Sequence, residues 1–290
     1  MEAIHTVAWM KQVTRQARAE DRLLGFIPTM GALHEGHYSL VRQAQQQCSP
    51  VVVSIFLNPK QFAPTEDLKR YPRPFEADCA ALEKLGVDYL FAPPVEEMYP
   101  KGFSTAVFVE GLSDRLEGRT RPGHFRGVTT VVMKLFEIVQ PRFAYFGRKD
   151  AQQVRIIQQM AADLDLDTQV VVSPIVREAN GLALSSRNVY LKDGDRQAAT
   201  ALYRSLEAVR REIAAGELDA ARLIVALRKV LDGQPGVTAD YAEIVDARTF
   251  DSVTAIRRKC LVLIAAFVGG TRLIDNALVE PEGEGFRVTL

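Results

Sequence analysis

The residues best placed to do chemistry in this chain sit in five short strings. In the first, P-T-M-G-A-L-H-E-G-H at residues 28–37, His34 and His37 are three positions apart and share a face at the start of a helix. A helix N-terminus offers unpaired N–H groups and a partial positive charge, which suit phosphate. Gly31 and Gly36 let backbone approach a nucleotide closely. Two imidazoles there can donate hydrogen bonds to phosphate oxygens as charge develops on them. The plain alternative is that two of the four histidines fall beside a loop by chance. Their position directly after an apolar run favours a site.

Each of the other strings also has a chemical and a bland reading. In S-I-F-L-N-P-K-Q-F (54–62), Gln61 offers a donor and an acceptor, suited to a small substrate bearing hydroxyl and carboxylate groups. Blandly, it is a surface Gln on a loop. In R-P-G-H-F-R-G-V (121–128), Gly123 and Gly127 bracket His124 and Arg126, or simply start a helix. In F-G-R-K-D-A-Q-Q (146–153), Lys149 is a compact cation for β- and γ-phosphates. Asp150 can cap a helix or touch a ribose or a metal, and Gln153 lies on the same helix face. The bland version is a capped helix with a solvated lysine. In G-L-A-L-S-S-R-N (181–188), Ser185, Ser186 and Arg187 offer hydroxyls and a guanidinium to phosphate oxygens, or form a Ser-rich turn. The chain has no G-x-x-x-x-G-K-[ST] and no G-x-G-x-x-G after a strand, which disfavours P-loop kinases and dinucleotide dehydrogenases.

These strings must be held by larger elements. Leu23 to Pro28, Val51 to Leu57, Val87 to Ala92, Phe143 to Phe146 and Thr168 to Pro174 read as buried strands. Gly36 to Gln47, Phe75 to Leu85, Val128 to Val139 and Ala151 to Leu164 read as the helices between them. Apolar strands alternating with helices predict an α/β, Rossmann-like, doubly wound parallel sheet whose ligands bind beyond the strands' carboxyl ends. The composition changes near residue 176. Helices at Arg196 to Ala214 and Asp219 to Leu231 precede strands at Tyr241 to Val245, Cys260 to Val268 and Arg272 to Val279. That order predicts a second, smaller α+β C-terminal domain, so the division is 1–175 and 176–290.

Composition narrows the class. Lys plus Arg (36) balance Asp plus Glu (36), so no global basic field draws nucleic acid. Hydrophobic residues make up 47% and charged residues 25%, as in a globular protein able to bury its own core. Three cysteines, none in a C-x-x-C pair, argue against a disulfide framework or a structural zinc site. The first 22 residues are polar and amphipathic, without a signal peptide's apolar core, and no run approaches a membrane span. A cytoplasmic protein with small-molecule substrates, no nucleic acid and no membrane is expected.

The string H-x-G-H resembles the signature of the nucleotidylyltransferase superfamily, which includes class I aminoacyl-tRNA synthetases. The longer P-T-M-G-A-L-H-E-G-H, with the four strings that follow in order, is similar to the pantothenate synthetase family. That resemblance implies an AMP-forming ligase that joins pantoate to β-alanine with ATP and Mg²⁺. It implies His34, His37 and Lys149 as catalytic groups. The implied ATP site comprises Met30, Gly31, Ala32, Leu33, His34, Glu35, Gly36, His37, Gly147, Arg148, Lys149, Asp150, Val176, Leu184, Ser185, Ser186 and Arg187. Gln61 and Gln153 would take pantoate and β-alanine. It further implies a homodimer whose second domain partly covers the active-site cleft. The chain departs from the family's G-E-K-D at Arg148, and a solvent-facing side chain would explain the tolerance. Two rival readings are a nucleotidylyltransferase that leaves the nucleotide on its product, and a nucleotide-sensing module that has lost catalysis.

Overall fold

The computed structural model describes residues 1–64 and 66–290, with the backbone alone at Asp193. Its contacts fall into two units, residues 1–148 with 152–174, and residues 149–151 with 175–290.

The first unit is a parallel sheet with helices between its strands. In chain order it runs β1 (Glu2–Ile4), α1 (Val7–Ala19), β2 (Gly25–Thr29), α2 (Glu35–Ala44), β3 (Val51–Ile55), α3 (Phe75–Lys84), β4 (Tyr89–Phe91), the short α4 (Val95–Met98) and α5 (Glu117–Thr120), α6 (His124–Val139), β5 (Phe143–Gly147), α7 (Ala151–Asp163) and β6 (Gln169–Ser173). The six strands lie in the order β1-β4-β3-β2-β5-β6, and every pairing is parallel. Val51, Val52 and Val53 of β3 are all buried, as a strand covered on both faces requires. Strand order reverses between β2 and β5, which pair directly through Gly25↔Phe143 and Phe26↔Ala144. Ligands of open α/β sheets bind beyond the carboxyl ends at such a switch point. The loop at 30–34 leaves β2 at that edge, and Gly147 ends β5 there.

Three elements of this unit differ from the sequence expectation: β1, α1 and the start of α6. The N-terminus is structured. Glu2–Ile4 adds an edge strand beside β4, too short to be read from alternation. Thr6 then caps α1, whose Met10, Val13, Thr14 and Ala17 are buried at helical spacing. In addition, α6 starts at His124 rather than Val128, because Gly123 at φ 82° turns the chain into the helix.

The second unit holds α8 (Asp193–Ala214), α9 (Ala220–Asp232) and strands β7 (Val237–Asp246), β8 (Cys260–Val268), β9 (Thr271–Glu282) and β10 (Gly285–Thr289). The sheet is antiparallel, in the order β10-β9-β8-β7. Leu202, Leu206 and Val209 of α8 and Leu223, Leu227 and Leu231 of α9 share one core with Val262, Ile264, Ala277 and Val279. Strand β10 pairs with β9 and is absent from the sequence expectation. Among the described residues, no helix is long and apolar enough to cross a membrane.

Candidate active site

The turn after β2 is built by hydrogen bonds from far along the chain. Thr29 Oγ1 donates to Ser54 O at 2.7 Å and accepts from Gly31 N at 3.2 Å. Gly31 and Ala32 both have positive φ, at 80° and 52°. The next two backbone N–H groups converge on one carboxylate, as Ala32 N and Leu33 N each reach Asp78 at 2.8 Å. Asp78 is 3% exposed, and burial raises its carboxyl above the ordinary value against the pull of those bonds. The N–H groups of Ala32 and Leu33, two residues that the family resemblance puts in the ATP site, are engaged by the Asp78 carboxyl.

The two histidines form a reciprocal cap on α2. His34 Nδ1 accepts from Gly36 N at 3.2 Å, and His37 Nδ1 accepts from His34 N at 3.3 Å. Their rings lie 4.2 Å apart between centroids. A nitrogen that accepts carries no proton, so each neutral ring holds its N–H on Nε2. The helix start therefore sets the tautomer of both rings. Glu35, exposed, pairs with Arg42 instead.

Gln61 sits on a 3₁₀ turn at Pro59–Gln61, and it is 7% exposed. Fully buried Asn58 controls that turn. Its Nδ2 donates to Gln61 Oε1 at 2.9 Å and to Gly127 O at 3.1 Å, while its Oδ1 accepts from Tyr99 Oη at 2.8 Å. Burial raises the Tyr99 phenol, which stays a donor. With Oε1 occupied, Gln61 turns its Nε2 towards Met30 Sδ, 3.1 Å away, a weak acceptor. Behind the turn, His124 Nδ1 meets Gln61 O at 2.9 Å and its Nε2 meets Arg121 Nη1 at 3.0 Å. Arg121 grips Glu66 in turn, at 2.6 and 3.1 Å. Burial, and then the Arg121 charge, push His124 down to about 4. The ring is neutral, donates through Nδ1 and accepts through Nε2.

The F-G-R-K-D-A-Q-Q string divides. Arg148–Asp150 forms a 3₁₀ turn in which Lys149 is half-buried and Asp150 exposed. Arg148 is half-buried with its Nε withdrawn from solvent, which corrects the solvent-facing expectation. Gln153 is half-buried at the start of α7. The adjacent Gln152 is a brace, accepting from Glu117 N at 3.1 Å and donating to Leu112 O and Arg115 O at 2.8 Å each.

In the second unit, residues 176–184 fold back on themselves. Leu184 N donates to Val176 O at 3.0 Å, and Arg177 bridges Ala183. Ser185 follows and caps a 3₁₀ turn at Ser186–Tyr190 by accepting from Arg187 N at 3.2 Å. Asp78, Glu66, Arg121 and Gln152 are given no role by the sequence reading, and Asn58 only that of ending a strand. Only Asn58 carried a local signal, as Asn-Pro at the end of a strand.

A parallel sheet that leads from β2 into H-x-G-H at a helix start, with no P-loop, defines an α/β enzyme of the nucleotidylyltransferase type. The family model described as pantoate-beta-alanine ligase matches residues 2–278. The pantothenate synthetase of Koribacter versatilis is 52% identical over 283 residues, 98% of this chain and 97% of that protein. The pantothenate synthetase of Thermotoga petrophila is 52% identical over 279 residues, 96% and 100% of the two chains. The crystal structure of pantothenate synthetase from Thermus thermophilus superposes with a TM-score of 0.91 at 45% identity, covering 95% and 98% of the two chains. A pantoate-beta-alanine ligase from Francisella tularensis, complexed with beta-gamma ATP and beta-alanine, matches with a TM-score of 0.77 at 33% identity, covering 95% and 97%. The chain belongs to the pantoate–β-alanine ligase family, and its reaction is the joining of pantoate to β-alanine.

Proposed function

We propose that this ligation runs through an acyl-adenylate. A pantoate carboxylate oxygen attacks the α-phosphorus of ATP, a new P–O bond forms, and pyrophosphate leaves. The β-alanine amine then attacks the acyl carbon, the C–N bond forms, the amine loses a proton, and AMP leaves. No Ser or Cys nucleophile is needed, and the protein's work is positioning and charge stabilisation.

His34 and His37 donate from Nε2 to phosphate oxygens. The single observation that carries the reading is that both Nδ1 atoms accept backbone N–H groups, which leaves Nε2 as the donor of each ring. Gln61 presents its Nε2 to pantoate, exchanging the thioether of Met30 for a carboxylate or hydroxyl oxygen. Gln153 is the second amide of that pocket. Lys149, Ser185, Ser186 and Arg187 meet phosphates, and Gly147, Asp150, Val176 and Leu184 line the nucleotide. In this reading residues 1–175 form the ATP- and pantoate-binding catalytic domain, and residues 176–290 form the second, α+β domain.

The donor set fits Mg²⁺ as a companion of ATP. Among the described residues no three His, Cys, Asp or Glu side chains converge. Mg²⁺ commonly takes one or two carboxylates plus substrate phosphates, and exposed Asp150 is the carboxylate at this turn. Bound there with ATP, the ion would neutralise phosphate charge.

Pantoate alone should drive exchange of labelled pyrophosphate into ATP, and the full reaction should yield AMP. Release of ADP and phosphate, retention of the nucleotide on the product, or an absolute need for β-alanine in the exchange would each defeat the adenylate route. We also read the chain as a cytoplasmic homodimer, on the family likeness. Sedimentation at twice the 32.2 kDa chain mass tests the dimer.

A further inference from the structure

Strand β9 carries two adjacent buried polar residues, Asp275 at 3% and Asn276 at 0% exposure, between apolar Leu273 and Ala277. Neighbouring side chains of a strand point to opposite faces, and these two hold different segments. Asp275 takes the Arg177 guanidinium bidentately, at 2.7 Å from Nη1 and 2.9 Å from Nη2. The same Nη1 donates to Gly181 O at 3.0 Å, and the Tyr203 ring centroid lies 5.0 Å from the guanidinium carbon. Arg177 thereby ties the 176–184 fold-back, which leads directly into Ser185, Ser186 and Arg187, to β9. Asn276 acts on the other segment. Its Nδ2 donates to Lys149 O at 3.0 Å, and its own N–H donates to Asp275 Oδ1 at 2.8 Å.

Burying such groups costs free energy that an apolar pair of similar volume would avoid. Their return lies in what they fix. One strand sets the backbone of Lys149 and, through Arg177, the start of the Ser185–Arg187 segment. A cation and a guanidinium that must meet successive phosphates gain from such a common anchor, since a misplacement on the order of 1 Å costs about 10²-fold in rate.

We infer that Asn276 and the Asp275–Arg177 pair are positioning residues for the ATP phosphates, registering Lys149 against the Ser185–Arg187 segment. This rests on the reading that Lys149 and that segment meet phosphate.

The test compares Asn276→Ala, Asn276→Asp, Arg177→Lys and Lys149→Ala. For each, the pantoate-dependent pyrophosphate exchange, the second half-reaction from preformed pantoyl adenylate, and the melting temperature are measured. Asn276→Asp keeps the shape but has no donor for Lys149 O, and Arg177→Lys keeps the charge but loses the two-pronged grip. Both Asn276 variants and Arg177→Lys should slow the exchange or raise the ATP KM by roughly tenfold or more. The pantoate KM and the second half-reaction should stay within about threefold of wild type. Should Asn276→Ala fail to fold, the near-isosteric Asn276→Asp decides. If Lys149→Ala leaves the exchange intact, the phosphate reading itself falls. If Lys149→Ala slows the exchange while folded Asn276 and Arg177 variants do not, the positioning role falls. Equal slowing of both half-reactions, with a raised pantoate KM, also overturns it.

Discussion

Asn58 aims Gln61. The Asn58 Nδ2 bond to Gln61 Oε1, at 2.9 Å, fixes the amide so that its Nε2 faces Met30 Sδ. The amide donor is spent on a weak acceptor and is available to a better one. Gln61→Ala should raise the pantoate KM about ten- to a hundred-fold, as expected for about 1–3 kcal/mol of lost hydrogen bonding, with the ATP KM little changed. Asn58→Ala should reproduce much of that loss, because Gln61 is then free to rotate. Steady-state kinetics with each substrate varied in turn checks both. An effect on ATP alone would move Gln61 out of the acid pocket.

The histidine cap makes a two-part prediction. His34→Ala and His37→Ala each remove a donor aimed at developing phosphate charge, so adenylation should fall about 10²–10³-fold. Each also removes half of the cap on α2, worth about 1 kcal/mol. At this chain length that lowers the melting point by only about 2 °C. Pyrophosphate has left before the amine attacks, so turnover of preformed pantoyl adenylate should be damaged far less. Equal damage to both half-reactions with a much lower melting point would reduce the histidines to helix braces.

His124 should give the protein a pH-dependent stability. Its value is about 4 in the fold against 6.5 in an unfolded chain, so between those values the unfolded state binds more protons. Stability from this group is complete above pH 6.5 and is lost as pH falls towards 4, by about 3 kcal/mol in all. The physical reason is direct: a protonated Nε2 would confront the Arg121 N–H it now accepts. Urea unfolding between pH 4 and 7 should show the slope, and His124→Asn should flatten it. A slope unchanged in that variant would assign the effect elsewhere.

Gly127 lets α6 press against the Gln61 turn. A Cβ there would stand 2.3 Å from Lys60 O, backbone that cannot swing aside. Gly127→Ala should therefore cost about 1–3 kcal/mol of stability. It should also raise the pantoate KM by displacing the turn, while Gly147→Ala, with nothing within 4 Å of its Cβ, should cost much less stability. Thermal melts and pantoate titrations of the two variants separate a packing effect from a general glycine effect.

Much of this protein could be read before folding. Runs such as Val51–Val53 mark buried strands, and three of the five strings, 28–37, 54–62 and 146–153, fall where a strand ends. What escaped was short or at the margins. The edge strand Glu2–Ile4 has three residues, too few to display a period, and β10 has five with only a partly buried pattern. The apolar run from Val128 reads as helix while the start at His124 depends on Gly123, one of two glycines that could open the helix, adopting φ 82°.

By itself the sequence determined the alternation of elements, the phosphate-suited helix start with its paired histidines, and the family. These depend on local periodicity and on residues within one turn of each other. The tertiary structure alone decided which buried groups discipline them. Asp78 holds the Ala32–Leu33 turn from 46 and 45 positions away, Asn58 reaches Gly127 O across 69, and Asn276 reaches Lys149 O across 127. A side chain's type states how many hydrogen bonds it needs once buried. It does not state from where in the chain they come, because that follows from how the sheets and helices pack.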